Sequence, residues 1–196
     1  MNRLAALIVS ALTLLLLASA SHANVITYEA SLSGAAESPP NASPGTGFAK
    51  VIYDDLAHTL AVDVAFSGLL STTTASHIHA PTASPDTGTA GIATTVPTFA
   101  GFPLGVTSGT YNSVLDLTIA SAWNPSFITA NGGTTMGAEA ALAAALAQDE
   151  AYLNIHTTVF PGGEIRGFLL AVPEPATLAL LSVALAGVAF SRRKLR

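Results

Sequence analysis

His77 and His79 are separated by one residue, Ile78. On a β-strand this spacing turns both imidazoles to the face opposite the isoleucine. Two ring nitrogens offered from one strand make a ready pair of ligands for a transition-metal ion. Later in the chain, His156 and Glu164 lie eight residues apart, on either side of Pro161-Gly162-Gly163. If all four meet across the fold, three nitrogens and a carboxylate form a set suited to zinc or copper. The same side chains support a purely structural reading, a buried polar network of Asn154, His156, Glu164 and Arg166. In that network Glu164 orients His156, and Arg166 holds Asn154 or a backbone carbonyl. Arg166 and Lys50 are the only cations in the middle of the chain, so a carboxylate is the expected partner of Arg166. The sequence demands no cofactor, and zinc or copper on the histidine set is the alternative to none.

Other chemistries find no support. The chain has no cysteine, so thiol catalysis, thiolate metal sites and disulfides are excluded. No Gly-x-Ser-x-Gly elbow, phosphate loop or His-Glu-x-x-His is present. Asp54-Asp55 is a paired carboxylate placed in a polar turn, where solvation is its expected role, and His58 beyond it is expected to face water. The Asn41-Ala42-Ser43 sequon is followed by Pro44, which argues against glycosylation. The catalytic reading is therefore rejected, and the chain is expected not to be an enzyme.

The elements that must position the histidines read as strands. Ile26, Tyr28, Ala30 and Leu32 alternate with polar or small residues, as do Leu60, Val62, Val64 and Phe66, and Leu115, Leu117 and Ile119 continue the pattern. Turn signals at Pro39-Pro40-Asn41, Asp54-Asp55, Asn131-Gly132-Gly133 and Pro161-Gly162-Gly163 separate them. In residues 151–157, Leu153 and Ile155 share one face, and Tyr152, Asn154 and His156 the other. A hairpin turning through Pro161-Gly162 sets His156 opposite Glu164, Asn154 opposite Arg166 and Tyr152 opposite Phe168, with a slip by two residues as the rival register. Residues 137–148, rich in alanine and leucine with no β-branched side chain, predict one short helix at the edge. The expected fold is all-β, a Greek-key or immunoglobulin-like β-sandwich.

Charge and hydropathy divide the chain of 196 residues into three. Residues 24–172 hold two cations against eleven carboxylates, a formal charge of −9. Such a surface offers no basic face to a nucleic acid, and that class is rejected. Ahead of this domain, Arg3, the apolar run 4–18 and Ser21-His22-Ala23 have the order of a cleavable signal peptide over residues 1–23, an uncleaved anchor helix being the alternative. Behind it, residues 176–191 give 16 uncharged residues, about 24 Å of helix. That is slightly short for a hydrocarbon core of ~30 Å, a gap that snorkelling arginines can cover. Arg192, Arg193, Lys194 and Arg196 follow and fix that end in the cytoplasm. The expected chain is thus a signal helix, a domain over 24–172 and a tail over 173–196 with a transmembrane helix.

The tail resembles the PEP-CTERM sorting signal of exopolysaccharide-producing Gram-negative bacteria: Val172-Pro173-Glu174-Pro175-Ala176-Thr177, then the apolar run, then the basic cluster. The resemblance implies processing near Pro173, Glu174 and Pro175 by an exosortase-type membrane peptidase, with a permanent tail anchor as the alternative. The middle domain resembles the CHRD domain through Gly34-Ala35-Ala36-Glu37-Ser38-Pro39-Pro40, Ala75-Ser76-His77-Ile78-His79-Ala80-Pro81, Tyr152-Leu153-Asn154-Ile155-His156-Thr157 and Gly162-Gly163-Glu164-Ile165-Arg166-Gly167. Ala80 stands where that family commonly has glycine, and the alanine-rich insert precedes Tyr152. The His-x-His strand is also similar to that of the copper–zinc superoxide dismutases, so the expected sandwich is superoxide-dismutase-like. A binuclear centre needs more histidines than this chain has. The expectation is an exported, non-enzymatic surface or matrix protein that starts as an inner-membrane-anchored intermediate and ends in the periplasm, outer surface or extracellular matrix. Polysaccharide or other surface proteins are its expected partners, and a metal-binding or redox-active domain is the alternative.

Overall fold

The computed structural model describes residues 25–173. The signal peptide expected over residues 1–23, together with Glu174, Pro175 and the transmembrane helix expected after them, lies outside the described residues. Among the described residues, no helix is long and apolar enough to cross a membrane.

The alternating runs form strands. β1 (Val25–Ser33), β2 (Thr46–Asp54) and β3 (Thr59–Ser67) make an antiparallel meander. Its inward residues Tyr28, Ala30, Leu32, Ala49, Val51, Leu60, Val62 and Val64 are almost fully buried. Asp54 ends β2 by accepting from the N–H groups of Leu56 and Ala57 through its side chain. β4 (Thr73–His79), β5 (Gly109–Asp116), β6 (Tyr152–Thr157), β7 (Ile165–Phe168) and the short β8 (Leu170–Ala171) complete one sheet. Its strand order is β4-β6-β7-β1-β2-β3-β5, with β8 also paired to β1. The sheet curls strongly, so the inner faces of its two halves enclose one core and give the all-β, sandwich-like arrangement expected. Ile78, Leu153, Ile155 and Ile165 face that core with no measurable exposure. Each such side chain contributes roughly 1.5–3 kcal/mol of hydrophobic stabilisation.

Register follows the sequence reading where the strands pair. Tyr152 stands opposite Phe168 and Asn154 opposite Arg166, which rules out the slip by two residues. The pattern expected through Leu117 and Ile119 stops short, however. β5 ends at Asp116, whose carboxylate accepts from the Thr118 N–H and hydroxyl and turns the chain. Leu117 stays buried, whereas Ile119 swings into solvent.

Two helices replace the one expected. α1 (Pro125–Ala130) starts from Asn124, whose side chain accepts from the Ser126 N–H, with Pro125 in the first turn. Its Phe-Ile-Thr composition hides it from propensity, although the Asn-Pro pair is a helix-start signal. α2 (Thr135–Ala147) covers the alanine-rich run and is capped by the Thr134 hydroxyl on the Gly137 N–H. Ala138, Leu142, Ala145 and Leu146 bury one face of it. Glu139 of α2 accepts from Tyr53 Oη and pairs with His58 at 3.0 Å, so His58 is tied to the helix rather than solvated alone.

Between β4 and β5 a long excursion folds back along the free edge of β4. Backbone bonds from Ala93 to the Ile78 carbonyl, Ala80 to Gly91 and Phe99 to Ser76 run along this edge. The Thr94 and Thr98 hydroxyls accept from the Ile78 and Ser76 N–H groups. An edge that would otherwise template association is thereby covered. The excursion's Ala90, bonded to Tyr152, and the Pro161-Gly162 turn, bonded to His156 and Asn154, meet the outward face of β6, a strand buried along its whole length.

Close approach of β7 to β1 makes a testable demand. A Cβ at Gly167 would collide with the Ser31 carbonyl oxygen, whereas one at Gly162 would meet open space. Gly167→Ala is expected to destabilise by roughly 1–3 kcal/mol through overpacking, and Gly162→Ala by less than about 0.5 kcal/mol. Urea unfolding of the two variants measures the difference, and equal midpoints would contradict this packing.

A candidate metal centre of three histidines

The β4–β6 ladder sets His77 opposite Asn154, His79 opposite Tyr152 and Ala75 opposite His156. Paired residues of an antiparallel ladder share a face, and diagonal neighbours on it reach one another. His77, His79 and His156 therefore converge on the side away from the core. They meet on neighbouring strands of one sheet, not across the sandwich as expected. Ring centroids lie 5.0 Å apart for His77 and His156, 5.6 Å for His79 and His156, and 5.7 Å for His77 and His79. One nitrogen from each ring comes within 4.8 Å of those of the other two.

Each ring is anchored by one backbone carbonyl. His77 Nε2 bonds the Pro97 oxygen at 2.6 Å, His79 Nδ1 the Ala90 oxygen at 3.0 Å, and His156 Nδ1 the Pro161 oxygen at 3.0 Å. A carbonyl only accepts, so the anchored nitrogen must carry the hydrogen. The opposite nitrogen of each neutral ring is then a bare lone pair. Those atoms, His77 Nδ1, His79 Nε2 and His156 Nε2, are buried without a hydrogen-bond partner. An outer N–H held by a carbonyl, with the inner nitrogen free, is the arrangement that orients histidine ligands on a metal.

Burial also keeps the rings neutral. It pushes the His77 pKa down, with the Pro97 carbonyl pulling back. His79 is lowered to about 4, first by burial and then, against the pull of the Ala90 carbonyl, by the neighbouring His156, His77 and Arg166 charges. His156 is lowered to about 4 by burial and by His77. Near neutral pH, all three can therefore donate lone pairs without first losing a proton.

Glu164 does not join them. One carboxylate oxygen accepts from the Ser43 hydroxyl at 2.6 Å and the Leu70 N–H at 2.5 Å, and the other from the Thr157 hydroxyl at 2.7 Å. Burial alone would raise its pKa, but these donors and the Ser71 N–H together hold it below the usual carboxylate value. The expected set of three nitrogens and a carboxylate is thus reduced to the nitrogens, and Glu164 does not orient His156. Arg166 behaves nearer to expectation. Its Nε donates to the Ala36 carbonyl at 2.6 Å and its Nη1 to the Gly88 carbonyl at 2.9 Å. The guanidinium lies 4.6 Å from the Tyr152 ring centroid, and Tyr152 stacks on His79 at 4.8 Å.

Asn154 places its Nδ2 at 3.5 Å from the Gly162 carbonyl, while its Oδ1 is buried without a partner. The carboxylate that Arg166 does meet, Glu37, was not singled out from the sequence as a site residue. It stands 3.9 Å from Nε, too far to overcome its own burial, and its pKa rises to about 7. The three carbonyl anchors were missed as well, because no side-chain pattern marks a backbone acceptor. Pro173 is exposed at the end of the described residues.

A curled antiparallel sheet carrying a carbonyl-anchored histidine triplet defines an all-β domain. The chain belongs to the CHRD domain family, whose model matches residues 28–169. A PEP-CTERM protein-sorting motif matches residues 171–194. The protein is therefore exported, anchored at the membrane through its C-terminus, and sorted by an exosortase to the cell surface or beyond. No curated protein and no solved structure matches the chain.

The lowered histidines make the metal-free domain sensitive to acid. Between about pH 4 and 6.5 the unfolded chain binds more protons at His79 and His156 than the folded one, so stability falls as pH drops through that window. Each histidine adds a slope of up to about 1.4 kcal/mol per pH unit. Glu37 acts oppositely, because the folded state retains its proton up to about pH 7. The urea midpoint is expected to decline from pH 6.5 to 5, and more steeply in Glu37→Gln. A flat profile in both proteins would contradict neutral buried histidines.

Proposed function

We propose that this protein is a non-enzymatic, metal-binding component of the bacterial envelope or its exopolysaccharide matrix, with one transition-metal ion held per domain by His77, His79 and His156. The observation that carries this reading is the convergence of three buried lone pairs that no protein donor satisfies. A buried polar atom without a partner costs about 1–3 kcal/mol, and three acceptors cannot relieve one another. A shared cation relieves all three at once. Zinc and copper both suit imidazole donors. The enclosure of the donor atoms supports a holding role over turnover, since no substrate reaches them.

At the surface, polysaccharide is the partner best supported. Phe48 and Phe168 line an open groove of about 620 Å³ together with Glu29, Asp86 and Arg166. Aromatic faces beside carboxylates and a guanidinium match the apolar and hydroxyl faces of sugar rings.

Metal content of the purified mature protein tests the first reading. Near one zinc or copper per chain is expected in the native protein, and loss of it in His77→Ala. At a hundredfold excess over Kd the ion adds about 2.7 kcal/mol of stability, raising Tm by roughly 5–10 °C. Native protein free of metal, with a Tm unmoved by either ion, would end this reading. Processing is checked separately in a host with the sorting peptidase, where mass spectrometry is expected to find surface protein lacking residues 178–196. Full-length protein throughout the surface material would defeat cleavage.

A further inference from the structure

We infer that the ion held by His77, His79 and His156 is monovalent, cuprous copper in preference to zinc. The inference rests on the metal-site reading above and adds to it the charge and coordination number of the ion.

Charge comes first. All three donors are neutral imidazoles, so they stabilise an ion without cancelling any of its charge. The carboxylate the sequence offered, Glu164, is held away by Ser43, Leu70 and Thr157. The other nearby carboxylate, Glu37, sits beside Arg166 at 3.9 Å. Arg166 itself lies over Tyr152, which stacks on His79, so the fixed charge nearest the site through packed groups is positive. The cost of burying an ion grows with the square of its charge, about fourfold from one charge to two. A dication with no anionic ligand, next to a guanidinium, is the more penalised of the two.

Coordination number points the same way. Zinc in proteins takes four ligands, and divalent copper prefers a tetragonal set. Monovalent copper, with a filled d shell, is content with three ligands in a plane. Among the described residues, the triplet is the one group of three or more histidine, cysteine or acidic side chains placed to share an ion, and no fourth side chain of those types joins it. The enclosed donor atoms leave little access for a water to serve as one. Drawing the nitrogens from as far as 4.8 Å apart to about 3.5 Å, the spacing of a planar site with bonds of about 2.0 Å, asks each nitrogen to move inward by less than about 1 Å.

The test uses the mature protein stripped of metal. Under anaerobic conditions it is titrated with cuprous bicinchoninate, following loss of the chelator's colour, and in parallel with zinc against a fluorescent chelator. One cuprous ion per chain is expected, bound at least about a hundredfold more tightly than zinc and lost in His79→Ala. Zinc bound at one equivalent as tightly as copper, or more so, overturns this inference and leaves the metal-site reading standing. Neither ion bound overturns both. Copper retained undiminished in both His79→Ala and His156→Ala overturns the site itself. A gain-of-charge variant adds a check that loss of folding cannot imitate. His156→Asp, with its fold verified by circular dichroism, is expected to swing the copper-to-zinc preference toward zinc by at least about tenfold, and an unchanged ratio would contradict the charge argument.

Discussion

The pairing of β4 with β6 is the constraint on which the rest depends. It joins a strand from the first half of the domain to one near its end, and it fixes both what enters the core and what gathers behind it. Ile78 and Leu153, opposite one another, go inward, and their neighbours His77, His79, Asn154 and Tyr152 must then go outward. A one-residue slip would bury the histidines in the apolar core and expose the isoleucines, an exchange no small domain could sustain. The hydrophobic pattern thereby positions the polar site without any interaction between the polar groups themselves.

What the ladder gathers, the long excursion after β4 encloses. Its Thr94 and Thr98 satisfy the strand edge, and its Ala90 and Pro97 carbonyls take the outer N–H groups of His79 and His77. The Pro161 turn does the same for His156. Backbone oxygens have no choice of role in a hydrogen bond, so they impose a single tautomer on each ring. Glu164 shows the contrasting case of a buried polar group that is completely served. Its four donors keep it ionised and occupied, and they tie the segments at Ser43, Leu70 and Thr157 together.

Much of this was legible in the sequence because it follows from period-two alternation. The strands, the register of β6 on β7 and the shared face of His77 and His79 all come from that one rule. What escaped it lies where alternation says nothing. The path of residues 80–108 could not be seen to close over the histidines, because the groups it turns toward His79 and His77 are the backbone carbonyls of Ala90 and Pro97. Glu164 was placed on the histidine face by extending the hairpin register one step too far. The paired residues end at Ile155 and Ile165, and Gly163, with φ +132°, redirects the chain just before the carboxylate. α1 escaped because six residues of mixed propensity carry a start signal and little else.

The last strand has a further consequence for how the protein leaves the membrane. β8 is zipped to β1, and the Val172 N–H still bonds the Thr27 carbonyl. The Pro-Glu-Pro triplet begins at the very next residue. Two residues of chain span at most about 7 Å, so there is hardly any spacer between the folded body and the point of release. If the sorting peptidase cuts near this triplet, it works within about a nanometre of the sheet. A product lacking residues 178–196 would keep only five residues beyond that final hydrogen bond, a short end for other proteases to find.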